Sequence, residues 1–357
     1  MATNIIGPTE GEIAEVDEAV RADRRPEPSA FWPYLIRKII TALVSLLVVL
    51  VIGFILFTIM PQNPVASIAR ASGKPMDAAQ LEALQQSLGL DEPIWQRFIT
   101  YVWHSITLNL GYSYGYNQSV ASLVLPRIGP TLLLTGSSTL ISIVIGLWLG
   151  ARAGWRPGSL LDRISSAVSL TLWSVPTFWL GLILLIVLGT GVGPIPALFP
   201  SGGMITPGFS GGPVAEIFNV AWHLVLPCLT LVLVVFAQYV TIMRSSLIDE
   251  LGSPYLLTAR AKGLRDDDVR RKHAMPNALL PTVTVIFLQI GGLISGAITA
   301  ETVYSWPGLG LLTYDALKIP DLGLLQGTFV IFAASIIAMN LVADLLYRVI
   351  DPRVRAQ

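Results

Sequence analysis

Leu224-Val-Leu-Pro-Cys-Leu-Thr-Leu-Val-Leu-Val-Val-Phe-Ala-Gln-Tyr-Val-Thr-Ile-Met243 contains no Asp, Glu, Lys or Arg and stops at Arg244. Such a run is long enough to cross a hydrocarbon core of ~30 Å as a helix, the form that keeps its backbone hydrogen bonds inside the segment. Working outward, five further stretches share the property: Ile39–Ile59, Thr131–Ala151, Ile164–Gly189, Ala278–Ala300 and Leu322–Ala343. At 53% hydrophobic and 13% charged, the chain departs from soluble composition in the same direction. The expectation is an all-α integral membrane protein with six transmembrane helices.

Charge placement orients them. With both termini cytoplasmic, only Arg70, Lys74, Arg97, Arg127 and Lys318 lie outside, so 18 of the 23 basic residues lie inside. That bias follows the positive-inside tendency. The zero net charge hides this asymmetry and says nothing about nucleic acid. The first span is twice a normal signal core, and Ala69-Arg70-Ala71 lies ten residues beyond it, so an uncleaved anchor is expected. The single cysteine, Cys228, sits in an apolar span as a space filler.

The organisation then follows. Residues 1–30, acidic and then basic, predict a mobile cytoplasmic tail. Residues 31–60 hold the first helix, and 61–130 an external helical segment. In that segment Met76–Gly89 reads as an amphipathic helix, and Pro93 opens a second carrying Trp95, Phe98 and Tyr101, suited to the headgroup layer. Residues 131–350 form a five-helix core with a cytoplasmic loop at 244–277, and 351–357 a cytoplasmic C-terminus. The Gly/Pro-rich loop Thr190–Ala221 lies outside, and Glu301 to Gly310 suggests a folded external cap.

The basic loop is the one place where a soluble partner could grip the chain. Ser253 suits an N-cap, Pro254 the first helical position, and Gly263 the left-handed residue that ends a helix. A helix of about two turns results, too short to persist alone, so it needs a surface. Asp266, Asp267 and Asp268 then open a second helix, Arg270, Arg271 and Lys272 close it, and Pro276 breaks or kinks it before the fifth span. In the fifth span, Gly292-x3-Gly296 with Gly291 and Ser295 makes a stripe for close helix packing. On charge alone the loop reads as an ordinary solvated one; its glycine-bounded helix and fixed distance to Pro276 favour docking.

Ala259-x3-Gly263, followed after nine residues by His273-Ala274-Met275-Pro276, resembles the signature loop of ATP-binding-cassette importer permeases. Tyr255, Ala259-Arg260-Ala261-Lys262-Gly263 and Asn277 to Pro281 are similar to its dipeptide, oligopeptide and nickel branch. So are Leu88 to Pro93, Pro176 to Gly181, Glu301 to Gly310, Asp344 to Tyr347 and Asp351-Pro352-Arg353. The likeness covers roughly residues 36–355. Two departures are Pro61-Gln62-Asn63-Pro64, where members carry Pro-Gly-Asp-Pro, and the long N-terminal tail.

The resemblance implies the type I importer (MetI-like) architecture, with a second related permease, two ATPases and an external substrate-binding protein as partners. It implies di- or oligopeptide cargo, with nickel chelates or oligosaccharides as alternatives, and no catalytic residue, cofactor or metal of the chain's own. Pro254 to Lys262 would be a coupling helix, with Ala259 and Gly263 permitting close approach to an ATPase and Arg260 and Lys262 meeting its surface. Tyr255, Leu264 and Pro276 complete that loop, and Gly291, Gly292, Ser295 and Gly296 would line the pathway.

Rival classes find less support. An ion-coupled carrier or channel usually places carboxylates, histidines or basic residues inside its spans, and the six stretches have none. Asp344 is expected to pair with Arg348, and Glu301 to be structural. An intramembrane enzyme needs a nucleophile with a base in reach, and His104, His223 and His273 accompany no identifiable activated serine. Gly73-Lys74 is followed by Pro75 and lacks the upstream glycine of a phosphate loop, so ATP hydrolysis is expected on another polypeptide.

Overall fold

The computed structural model describes residues 31–59, 65, 77–87, 92–292 and 297–350. The predicted tail 1–30, Pro61-Gln62-Asn63-Pro64, residues 88–90 and 351–357, and Ser295 and Gly296 lie outside the described residues.

The apolar runs form helices, as their length demands. Helix α1 is Phe31–Phe54, widening into a π-helical turn at Ile55–Ile59. Two short helices follow, α2 (Ala78–Ser87) and α3 (Ile94–Ile106). The Asp77 carboxylate accepts from the Gln80 N–H while the Gln80 side chain accepts from the Asp77 N–H, a reciprocal cap that starts α2. A two-stranded antiparallel hairpin, β1 (Tyr112–Ser113) with β2 (Gln118–Ser119), interrupts the all-α expectation. It is pinned by Asp321, whose Oδ2 accepts from the Ser113 hydroxyl at 2.6 Å and the Gly115 N–H at 2.9 Å.

The core helices are α4 (Val120–Trp155), α5 (Leu160–Ser174), α6 (Thr177–Leu184, with a π-helical turn at Leu185–Thr190) and α7 (Pro213–Leu251). They are followed by α8 (Pro254–Ala261), α9 (Asp266–Asp268, running into a π-helical turn at Val269–Ala274), α10 (Met275–Gly292), α11 (Ile298–Val303), α12 (Leu309–Lys318) and α13 (Leu322–Ile350).

Among the described residues, four helices are long and apolar enough to cross a membrane, within Trp32–Ile59, Val120–Trp155, Pro213–Leu251 and Leu322–Leu346. The predicted span Ile164–Gly189 is not one straight rod. It is the pair α5 and α6, bent by 101°. Pro176 has no N–H to offer and holds Val175 extended (φ −82°, ψ 129°), so the helix cannot run through. Counted as one, this pair is a fifth span. Of the predicted stretch Ala278–Ala300, α10 covers the part up to Gly292.

The predicted run Leu224–Met243 lies inside the 39 residues of α7. At 1.5 Å per residue the helix is about 58 Å long, roughly twice the hydrocarbon thickness. It packs along α4, and the reason is glycine. A β-carbon at Gly146, Gly150 or Gly154 would sit 2.5 Å from Tyr239 Cβ, 2.6 Å from the Val240 carbonyl oxygen and 2.7 Å from the Arg244 carbonyl oxygen, respectively. Only hydrogen fits there, and the two backbones touch over about two turns.

At the end of the bundle away from the 244–277 loop, Glu301, Tyr304 and Trp306 are fully buried. Glu301 accepts from the Thr131 hydroxyl at 2.7 Å and the Leu311 N–H at 3.0 Å. The Trp306 indole donates to the Pro130 carbonyl at 2.9 Å, and the Tyr304 phenol to the Gly181 carbonyl at 3.0 Å. The predicted cap is therefore folded, and Glu301 has the structural role expected. Asp344 pairs with Lys38 of α1 at 2.8 Å; the side chain of Arg348, its expected partner, lies outside what the structure describes.

Candidate coupling loop

The loop is built on the ends of α4 and α7. Helix α7 stops at Leu251 and Gly252; Ser253 is extended (φ −72°, ψ 135°), and Pro254 takes the first helical position of α8, as expected. The Ser253 hydroxyl does not cap α8. It donates to Glu250 Oε2 at 3.2 Å, and the Tyr255 phenol donates to the same oxygen. Burial, reinforced by the Glu250 carboxylate, pushes the Tyr255 phenol up, so it remains a donor. Gly263 ends the helix with φ +78°, and its N–H bonds the Arg260 carbonyl at 2.9 Å.

The two faces of α8 differ from expectation. Ala259, expected to meet a partner, is 5% exposed and faces the chain's own core, beside Leu256. There it packs with Trp155, Met243, Leu247, Val269 and Ala274. Its small side chain suits that close-packed seat, where α8 lies against the turn at Val269–Ala274. Gly263 likewise has nothing within 4 Å of where a β-carbon would be. Its value is the left-handed backbone, not room for a neighbour within this chain.

The outward face of α8 is Leu257, Arg260 and Ala261, an i, i+3, i+4 set, and Leu264 is exposed just past the Gly263 turn. Leu257 is 61% exposed and Leu264 41%, with Lys262 and Arg265 exposed alongside. Covering such a leucine is worth about 1.5–3 kcal/mol. The arrangement is an apolar stripe with a basic rim, on a helix already seated on a buried core. Chemically it can dock; it holds no nucleophile or acid–base pair.

Behind this face, the Trp155 indole N–H donates to Asp266 Oδ2 at 2.9 Å. The Arg260 guanidinium lies 5.5 Å from the indole centre and 3.6 Å from Asp266 Oδ1. Asp267 pairs with Arg270 and, at 3.1 Å, with Arg271, while Lys272 lies 2.9 Å from Asp268. The Lys272 ammonium holds the Asp268 carboxyl below its usual range. The acids open and the bases close this segment as the sequence implies. Pro276, exposed, does not break the helix. The turn before it widens into π geometry at Val269–Ala274, which absorbs the hydrogen bond that proline cannot make.

Two features escaped sequence reasoning. Asp162, 3% exposed, takes both arms of Arg244, with Nη2 to Oδ2 at 3.0 Å, and the Gly158 N–H at 2.8 Å. It ties α5 to α7 just before the loop. Its signal was a carboxylate two residues before an uncharged run. The second is the Gly146, Gly150 and Gly154 series, a stronger stripe than the predicted one. Of that predicted stripe, Gly291 and Gly292 form the end of α10, with Ser295 and Gly296 beyond the described residues.

The bundle of long apolar helices thus presents α8, with its exposed leucine and basic residues, at the surface of a basic loop. Residues 142–356 match the binding-protein-dependent transport system inner membrane component family, and residues 31–135 the N-terminal segment of such membrane components. The chain belongs to this family and is an inner-membrane component of such a transport system. A protein of Brucella suis carrying a provisional peptide permease name is 36% identical over 323 residues, covering 90% of this chain and 98% of that protein. The dipeptide transport system permease protein of Escherichia coli is 33% identical over 336 residues, with the same coverage. The glutathione transport system permease protein of Escherichia coli is 33% identical over 324 residues, again covering 90% and 98%.

Proposed function

We propose that the chain is one of two related permease subunits that form the translocation pathway of an ATP-driven importer for di- and oligopeptides. Six spans would cross the membrane with both termini cytoplasmic, α10 continuing as the fifth. The 18-to-5 partition of basic residues supports this orientation. Residues 1–30 would be a tail, 31–60 the first span, 61–130 an external segment and 131–350 the core. An external binding protein would deliver cargo, and two separate ATPase subunits would bind and hydrolyse ATP. The names of the dipeptide and glutathione relatives support a peptide-class cargo.

The observation that carries the reading is α8. An eight-residue helix is too short to stand alone, yet this one leaves Leu257 and Leu264 uncovered within a basic rim. The ATPase cleft would cover them, with Arg260 and Lys262 meeting its surface and Tyr255, Ala259, Gly263 and Pro276 shaping the loop behind. Closing of the two ATPases would push the loops together and rock the bundles between inward and outward states. Gly291, Gly292, Ser295 and Gly296 would pack along the pathway.

The test compares two faces of one helix in the complex reconstituted with its ATPases and binding protein. Leu257→Asp should leave the chain inserted but cut ATPase retention and labelled-dipeptide uptake at least tenfold, about the effect of losing one buried leucine contact. Ala259→Asp should instead lower the yield of folded chain, because its charge enters the chain's own core. Normal uptake by Leu257→Asp would refute the docking role.

A further inference from the structure

We propose that Trp155 is the positioning residue that fixes the direction in which the coupling helix points, through its N–H bond to Asp266 and its contact with Arg260. This rests on the reading of α8 as the coupling helix. The seat provided by Leu256 and Ala259 is apolar; it decides which face of α8 goes in, but non-directional burial leaves the helix free to tilt and slide on that seat. Direction needs bonds that fail when the angle changes. Trp155 supplies them. Its indole N–H reaches Asp266 at 2.9 Å, and its ring lies under the Arg260 guanidinium at 5.5 Å. Asp266 also faces Arg260 at 3.6 Å, so the three side chains close a triangle.

The corners of that triangle lie on different elements. Trp155 is the last residue of α4, Arg260 belongs to α8, and Asp266 opens α9. Helix α4 is held against α7 by Gly146, Gly150 and Gly154, the last of these adjoining Trp155. A push on the outward face of α8 at Arg260 is thereby referred to the α4–α7 pair, not absorbed by tilting or sliding of a two-turn helix. Trp155 is 7% exposed, so its bond to Asp266 is shielded from competing water on the indole side. Asp266, more exposed, keeps the bond reversible.

Trp155→Phe keeps an aromatic face toward Arg260 but removes the donor together with part of the ring's packing, so the Asp266 variants serve to isolate the hydrogen bond. In the reconstituted complex, ATPase subunits should stay bound and ATP hydrolysis should stay within about twofold of the unmodified complex. Peptide uptake should fall, so that ATP consumed per peptide imported rises about tenfold, the size expected for one lost hydrogen bond to a charged group. Asp266→Leu should give the same rise, and Asp266→Asn, which retains an acceptor oxygen, should return the ratio most of the way to normal.

An unchanged ratio in Trp155→Phe, whether both rates stay normal or fall together, overturns the proposal. The coupling reading fails separately, when Leu257→Asp imports normally. If Leu257→Asp is inactive while Trp155→Phe keeps its ratio, only the role of Trp155 is lost.

Discussion

Gly150 lies so close to α7 that a β-carbon there would be 2.6 Å from the Val240 carbonyl oxygen and 2.9 Å from Met243 Cβ. Neither neighbour is the free end of a flexible side chain, so the contact cannot be relieved locally. Gly150→Ala should therefore force the two helices apart and cost about 1–3 kcal/mol, the usual penalty for overpacking. Thermal unfolding of the detergent-solubilised chain checks this. An unaltered or raised Tm for Gly150→Ala would mean that α4 and α7 are not packed as tightly as the geometry gives.

The Asp162–Arg244 pair gives a second expectation. Arg244→Met leaves a carboxylate that is 3% exposed without its cation. Because Arg244 is itself about a third exposed, the cost is set below that of a fully buried pair, at about 2–3 kcal/mol. The double variant Arg244→Met with Asp162→Asn should recover much of that loss, since no charge then remains buried. Chemical denaturation of the three variants measures it. A double variant no more stable than Arg244→Met alone would contradict the pairing.

Glu301 supports a prediction at the other end of the bundle. Glu301→Leu removes the acceptor of the Thr131 hydroxyl and the Leu311 N–H, leaving both donors to find new partners. A loss of about 1–3 kcal/mol for each buried group left unpaired is expected. It should be local, so limited proteolysis should cut between residues 297 and 318 before it cuts α4 or α7. Cleavage unchanged from the unmodified chain would show that the cap is held by Tyr304 and Trp306 alone.

The spans and the loop were legible because their signals are local. Uncharged runs announce helices, and Pro254 and Gly263 bracket α8 whatever lies around it. The 101° elbow was not legible, since hydropathy has no direction and Pro176 sits within an uncharged run long enough to read as one span. Asp162 and Arg244 lie 82 residues apart, and nothing in either segment names the other. Gly146, Gly150 and Gly154 carry the spacing of a packing stripe, but the sequence does not say which of two such stripes is used or against which helix. The burial of Ala259 was not legible, because Leu256 and Leu257 give a two-turn helix an apolar residue on each side. Only the core formed by Trp155, Met243 and Leu247 decides which leucine goes in.

The 39 residues of α7 run without a break from Pro213, at the end that carries the Tyr304 network, to Leu251, at the foot of α8. Its Thr230 touches that network and its Leu247 touches the seat of α8, so both ends of the molecule share one rod. On the coupling reading proposed above, a stroke at the foot would reach the head as a change of tilt, with no separate relay.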